Sequence, residues 1–123
     1  MKTAKSLVNR GRSYITQLNT INLDNVEQLS DFEYDALVSK TKALKKKVDY
    51  YFYEVKKLRA PNKHGYAFKK VLLQAAHDIK KSAQTVDTFM NNDEIENENE
   101  LVELHHNHME SAHNRMKELQ RSL

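Results

Sequence analysis

Apolar residues recur along most of this chain at alternating steps of three and four, and this rhythm restricts the fold more than any other feature. Residues at such steps lie on one side of an α-helix, where they can face a core while the other side meets water. Glycine and proline, the residues that interrupt helices, number two and one among 123 residues. The sequence therefore predicts an all-α protein, and its length suits a single domain over residues 1–123.

The rhythm divides the chain into four predicted helices separated by short connections. Their approximate limits are residues 2–20, 31–59, 66–91 and 94–121. Ser30 and Glu33 have the spacing of a capping box at the start of the second helix, and Pro61 is expected to end it. Because a short turn at residues 62–65 follows, the second and third helices are predicted to form a long antiparallel hairpin. The expected architecture is an elongated helical bundle, with an N-terminal helix and a coiled-coil-like C-terminal helix beside the hairpin.

The last predicted helix carries a coiled-coil-like stripe. Its members recur every seven residues in two interleaved series: Val102, His105, Met109, Ala112, Met116 and Leu119. Such a stripe is typical of helices that pair between copies, so we predict a homo-oligomer joined by these residues, although small members such as Ala112 also suit a multi-helix bundle. His105 is the polar member, and a buried histidine resists protonation. It could therefore make association sensitive to pH.

Charge is distributed unevenly along the chain. Residues 40–81 contain thirteen Lys or Arg and three acids, a formal balance of +10. Residues 82–123 contain three basic and nine acidic side chains, a balance of −6. If the second and third helices pack together, their lysines gather into two positive bands. This distribution favours a polyanionic partner, which is either nucleic acid or an acidic protein surface.

Lysine and tyrosine share the outer face of the second predicted helix. At about 100° per residue, Lys46, Tyr50, Tyr53 and Lys57 project from the same side. Lysine contacts phosphate as a point charge, and tyrosine offers a ring on which an unpaired base can stack. We therefore predict a nucleic-acid-binding surface without strong sequence preference. Its residues are Lys46, Tyr50, Tyr53, Lys57, Lys69, Lys70, Lys80 and Lys81.

Other interpretations of the basic region stay open. In one, the lysines are only the solvated faces of a hairpin, and the tyrosines pack against the first or the fourth helix. The acidic fourth segment could also dock on the basic hairpin and neutralise it. In another, exposed helix faces bind a protein, so that the chain is an adaptor or inhibitor. The cysteine-free composition, rich in Lys, Asn and Tyr, resembles that of small accessory proteins of phages and other mobile elements, although the likeness covers no motif.

The sequence gives little support for catalysis. Two Glu-x-x-His units, at residues 103–106 and 110–113, lie on the same predicted helix, about 10 Å apart. In dimetal bundles such units come from different helices and converge on one point. The chain also lacks cysteine and a glycine-rich phosphate loop. We therefore predict a non-catalytic protein without metal or cofactor. The alternative is a divalent ion bound by His105 and His108, which a metal-dependent enzyme would require.

Segments that would direct the chain to a membrane or out of the cell are not apparent. The longest strongly apolar or aromatic run is Tyr50–Tyr53, far short of the roughly 20 residues of a membrane span. The basic N-terminal stretch lacks the apolar region of a secretory signal, and no cysteine indicates an oxidising compartment. These observations predict a cytoplasmic protein without a membrane partner.

Overall fold

The computed structural model describes residues 3–60, 62–91 and 98–123, and within these residues the regular secondary structure is helical, without strands. The elements are α1 (Ala4–Asn19), a short 3-10 helix (Leu23–Gln28), α2 (Asp31–Lys56), α3 (Lys63–Asn91) and α4 (Glu98–Arg121). The all-α prediction is confirmed. The predicted start of the last helix at residue 94 lies outside the described residues.

Side-chain caps set several of the helix limits. Ser30 forms the predicted capping box, because its Oγ accepts from the Glu33 N–H at 3.2 Å while Glu33 Oε1 accepts from the Ser30 N–H at 3.3 Å. Asn62 Oδ1 accepts from the Gly65 N–H at 2.8 Å, and this cap starts α3 at Lys63. The helix thus begins before residue 66, where the apolar rhythm predicts its start. The end of α2 also differs from its prediction, since the helix stops at Lys56.

The packing places α3 between two neighbours. It lies along α2 on one side and along α4 on the other, and α1 contacts all three of these helices. Tyr34, near the start of α2, donates its hydroxyl hydrogen to the carbonyl of Met90, near the end of α3. Near the opposite ends, Lys69 Nζ donates to the Lys56 carbonyl at 2.8 Å. These contacts show that α2 and α3 run in opposite directions.

The core contains the apolar stripes of the helices. In α2 the buried members are Thr41, Leu44, Val48, Tyr51 and Val55. Tyr51 is fully buried, and its hydroxyl donates to the Leu7 carbonyl of α1 at 2.7 Å. A Cβ at Gly11 would lie 2.5 Å from that hydroxyl oxygen, so glycine permits the close approach of α1 to α2.

A second side of α3 is also buried, which the apolar rhythm does not predict. Its residues repeat at steps of three and four: Ala75, Asp78, Ser82, Thr85 and Phe89. Three of the five are polar, so hydropathy alone marks them as solvated. They are buried because α4 packs along this side, and because polar partners on α4 meet two of them.

The stripe predicted to join copies lies inside the single chain. His105, Met109, Ala112, Met116 and Leu119 are buried, and Val102 is half-buried. The sequence predicts that these side chains join copies, with packing inside a multi-helix bundle as the alternative, and in the structure α4 packs against α3 and α1. A seven-residue stripe suits either environment, because both bury one side of a helix. Pairing of copies through this stripe would have to displace these contacts.

Candidate nucleic-acid interface

Lys46, Tyr50 and Tyr53 of α2, with Lys57 just after its last residue, form what we call the outer surface of α2, and all four side chains are exposed. Tyr50 is 62% exposed and Tyr53 is 53% exposed. Successive positions four, three and four apart keep all four side chains within an arc of about 60°. Neither ring is buried against α1 or α4. The alternative interpretation, in which the tyrosines pack against one of these helices, requires such burial. The predicted alternation of lysine and tyrosine therefore exists on one accessible surface.

Lys57 and Tyr53 form a local pair on this surface. The Lys57 Nζ lies 4.2 Å from the centre of the Tyr53 ring, which is a cation–π distance. A side-chain hydrogen bond with Tyr53 raises the pKa of Lys57 above its usual value. A lysine is already charged at neutral pH at its ordinary pKa, and this shift acts in the same direction. A ligand that meets the ring meets this positive charge as well.

The three acids of the basic segment have cationic partners outside the predicted binding set. Lys45 Nζ lies 3.9 Å from Asp49 Oδ2, and Arg10 Nη1 lies 2.9 Å from Glu54 Oε1. Asp78 is paired with Arg115 of α4. Among the described residues, these ion pairs of the three acids thus involve none of the predicted binding lysines.

The four predicted lysines of α3 fall into two groups. Lys70 and Lys81 are exposed on the outer side of α3, whereas Lys69 and Lys80 are half-buried beside α2. The half-buried pair contacts α2 directly, because Lys69 donates to the Lys56 carbonyl and Lys80 Nζ lies 4.7 Å from the centre of the Phe52 ring. These two lysines lie at the contact between α2 and α3, beside Lys56 and Phe52.

Phe52 is a member of the interface that the sequence interpretation missed. Two ammonium groups lie close to its half-buried ring, with Lys56 Nζ at 4.9 Å and Lys80 Nζ at 4.7 Å from its centre. The His77 ring of α3 lies 6.2 Å away, centre to centre. The available signal was its spacing of four from Lys56, since residues four apart are neighbours on a helix. Phe52 brings an aromatic ring and charges from both helices together.

Two histidines of α4, His105 and His108, have separate partners on α3. His105 is buried, and its Nδ1 lies 2.6 Å from Ser82 Oγ of α3. Burial lowers the pKa of His105 to about 4, and the neighbouring His106 and His108 act in the same direction. His108 Nδ1 lies 2.9 Å from Asp78 Oδ1. Among the residues that the structure describes, no group of three or more His, Asp or Glu is placed to bind a metal ion.

Asp78 is the centre of a polar cluster between α3 and α4. Besides His108, its carboxylate accepts from the Ser111 hydroxyl at 2.9 Å and from the Arg115 guanidinium. Arg115 also donates to Ser111. These contacts satisfy a carboxylate that is only 8% exposed, as a buried charge requires. The cluster joins the two helices and uses their polar groups for folding.

Models of known protein families give no match to this chain, and neither characterised proteins nor solved structures match it. Among the helices of the described residues, none combines the length and apolar character that crossing a membrane requires. The candidate interface therefore depends on the residues and geometry of the chain itself.

Proposed function

We propose that this chain binds nucleic acid without strong sequence preference, through the outer surface of α2 and the lysines of α3. The observation that carries the proposal is the exposure of Tyr50 and Tyr53 between Lys46 and Lys57 on one side of a helix. Positive charge supplies attraction to phosphates, and exposed rings supply stacking for bases. The role is binding without catalysis, in the cytoplasm.

The chemistry of this surface favours tolerance of sequence. Lysine carries a flexible point charge and contacts phosphate, which is the same at every nucleotide. A tyrosine ring stacks on any base, because every base has a π face. The surface extends about 17 Å from Lys46 to Lys57, enough to follow several nucleotides of a strand. Affinity should therefore depend on charge and on unpaired bases more than on their order.

Fluorescence anisotropy of labelled oligonucleotides tests this proposal. Replacing Tyr50 and Tyr53 together by leucine should weaken single-strand binding by about 5-fold or more, because each stacked base contributes roughly 1–3 kcal/mol. Phe32→Leu is the matched control, since Phe32 is 83% exposed on the same helix but lies outside the basic segment. If wild-type protein binds neither single- nor double-stranded DNA or RNA at low salt, the proposal is wrong.

A protein-binding adaptor or inhibitor is the second candidate, and Phe32 is the observation that favours it. This ring is strongly exposed beside the acidic residues Asp31 and Glu33, whose negative charge disfavours a phosphate backbone. Exposed aromatic residues are common anchors of protein interfaces. Capture of one stoichiometric protein from nuclease-treated lysate, lost in Phe32→Ala and kept in the Tyr50 and Tyr53 variant, would support this candidate. Light scattering of nuclease-treated protein at low and high salt measures whether copies also associate.

A further inference from the structure

A cleft opens on α3, where side chains of α2 and α4 lie beside it. Its volume is about 360 Å³, within the size range of small-molecule sites. Phe52 and Leu73 give it apolar walls, and Gln74 and His77 add polar groups from α3. Lys70 of α3 and Arg115 of α4 also line it. The cleft thus combines a ring, an amide and cationic groups in one concave place.

The carboxylate at this cleft does not leave it negative. Asp78 also lines the cavity, but its oxygens are engaged by the Arg115 guanidinium, by the Ser111 hydroxyl at 2.9 Å and by His108 Nδ1 at 2.9 Å. Lys70 is exposed beside it, and Lys80 lies over the Phe52 ring. The surroundings of the cleft therefore favour an anionic ligand.

We propose that this cleft is a subsite for a single unpaired nucleobase, so that the nucleic acid bound by this chain is single-stranded. The inference rests on the proposed function and gives it a substrate class. The base would stack on the part of the Phe52 ring that lines the cleft, and Lys80, whose Nζ lies 4.7 Å from the centre of that ring, would contact an adjoining phosphate. Gln74 offers both a donor and an acceptor, so it can pair with the edge of any base. A base inside a duplex cannot enter, because it is stacked and paired there.

The position of the cleft allows one strand to reach it from the outer surface of α2. Tyr53 and Phe52 are adjacent residues, and their side chains project about 100° apart around the helix axis. A strand that leaves Tyr53 and passes around α2 therefore meets Phe52 next. Lys56 and Lys80 lie at this passage, 4.9 and 4.7 Å from the Phe52 ring centre, where they can contact the phosphates of the strand.

The test compares ligands and variants by fluorescence anisotropy on the full chain. With wild-type protein, a single-stranded oligonucleotide of about 12 nucleotides should bind at least about 5-fold more tightly than an abasic strand of equal length and charge. Phe52→Leu keeps an apolar side chain at the half-buried position and should weaken single-strand binding by about 5- to 10-fold. Its salt dependence should stay that of wild type, because no charge is removed. Phe32→Leu is the control and should leave the affinity unchanged.

The outcomes separate the two proposals. If wild-type protein binds no nucleic acid at low salt, the proposed function and this inference both fail. If it binds and prefers normal single strands, but Phe52→Leu and His77→Ala bind them as tightly as wild type, then only the inference is overturned. Equal binding of abasic and normal strands by wild-type protein would overturn the inference together with the stacking on Tyr50 and Tyr53. His77→Ala, a change at an exposed residue of the same cleft, provides a second variant that should also weaken single-strand binding.

Discussion

The outer surface of α2 and the interface between α3 and α4 are both rich in polar side chains, but they use them differently. Between α3 and α4, Ser82 meets His105, and Asp78 meets Arg115. On α2, Tyr50 and Tyr53 project into solvent. Polar groups with partners inside the chain contribute to folding, whereas exposed rings contribute little to it. The outward-facing residues of α2 can therefore be substituted without loss of the fold. Because folding does not engage them, their side chains are free to contact a ligand.

Two adjacent tyrosines give the largest expected contrast. Tyr51→Ala should lower the free energy of unfolding by about 3–5 kcal/mol, because it empties a fully buried ring site and removes the hydrogen bond to Leu7. Tyr50→Ala should change it by less than about 0.5 kcal/mol, since Tyr50 is exposed. Urea unfolding followed by circular dichroism measures both. Similar effects of the two variants would show that α2 does not have separate buried and exposed sides.

The buried histidine predicts a dependence of stability on pH. The pKa of His105 is lowered to about 4 in the folded protein, so the unfolded chain, with the ordinary value near 6.5, binds the proton first as pH falls. Stability should therefore be constant above about pH 6.5 on this account and decrease by up to about 3 kcal/mol toward pH 4. His105→Gln should lack that decrease, so the difference in stability between wild type and variant should change with pH by the same amount. The exposed His113 provides the control, because His113→Gln should keep the wild-type profile.

The cluster at Asp78 should contribute more to the free energy of unfolding than a surface ion pair does. Asp78→Asn weakens the contacts to Arg115 and His108, and should lower the free energy of unfolding by about 1–3 kcal/mol. Asp49→Asn removes a more exposed pair with Lys45 at 3.9 Å, and should change it by less than about 0.5 kcal/mol. Thermal unfolding of both variants gives the comparison. Equal effects would mean that the interface between α3 and α4 does not depend on this cluster.

The smallest effect on folding should come from the lysines of the outer surface of α2. Lys46→Gln and Lys57→Gln together should leave the melting temperature nearly unchanged, because both side chains are exposed. The same change should reduce the slope of log affinity against log salt by about 1.4, because each single-strand phosphate that a lysine neutralises contributes about 0.7 to that slope. Lys117→Gln, at an exposed position of α4, should leave the slope as it is. If the slope of log affinity against log salt changes as little for the Lys46 and Lys57 variant as for Lys117→Gln, then the ligand does not contact the outer surface of α2.

Periodicity was enough to predict the buried side of α2, whereas it left open whether the tyrosines of the opposite side are exposed or pack against another helix. Leu44, Val48 and Tyr51 follow the three-and-four rhythm and are buried, while Tyr50 and Tyr53 fall out of that rhythm and are exposed. This works because the side of a helix that carries apolar residues almost always faces a core.

Other features depend on tertiary packing and could not be predicted in the same way. Asp78 and Ser82 look like solvated residues of α3 until α4 brings Ser111 and His105 to them. The stripe of α4 has the same spacing whether it pairs between copies or packs within one chain. Phe52 became part of the candidate interface only through the ammonium group of Lys80, which comes from another helix.

Mapping amide chemical shifts by NMR during titration with a single-stranded oligonucleotide tests most directly whether the outer surface of α2 binds nucleic acid. The account predicts saturable shifts at residues 46–57 of α2 and at the lysines of α3, with the buried residues of α4 nearly unaffected. Shifts that concentrate on α4 or on α1, or a titration at low salt that moves no amide of α2, would contradict it.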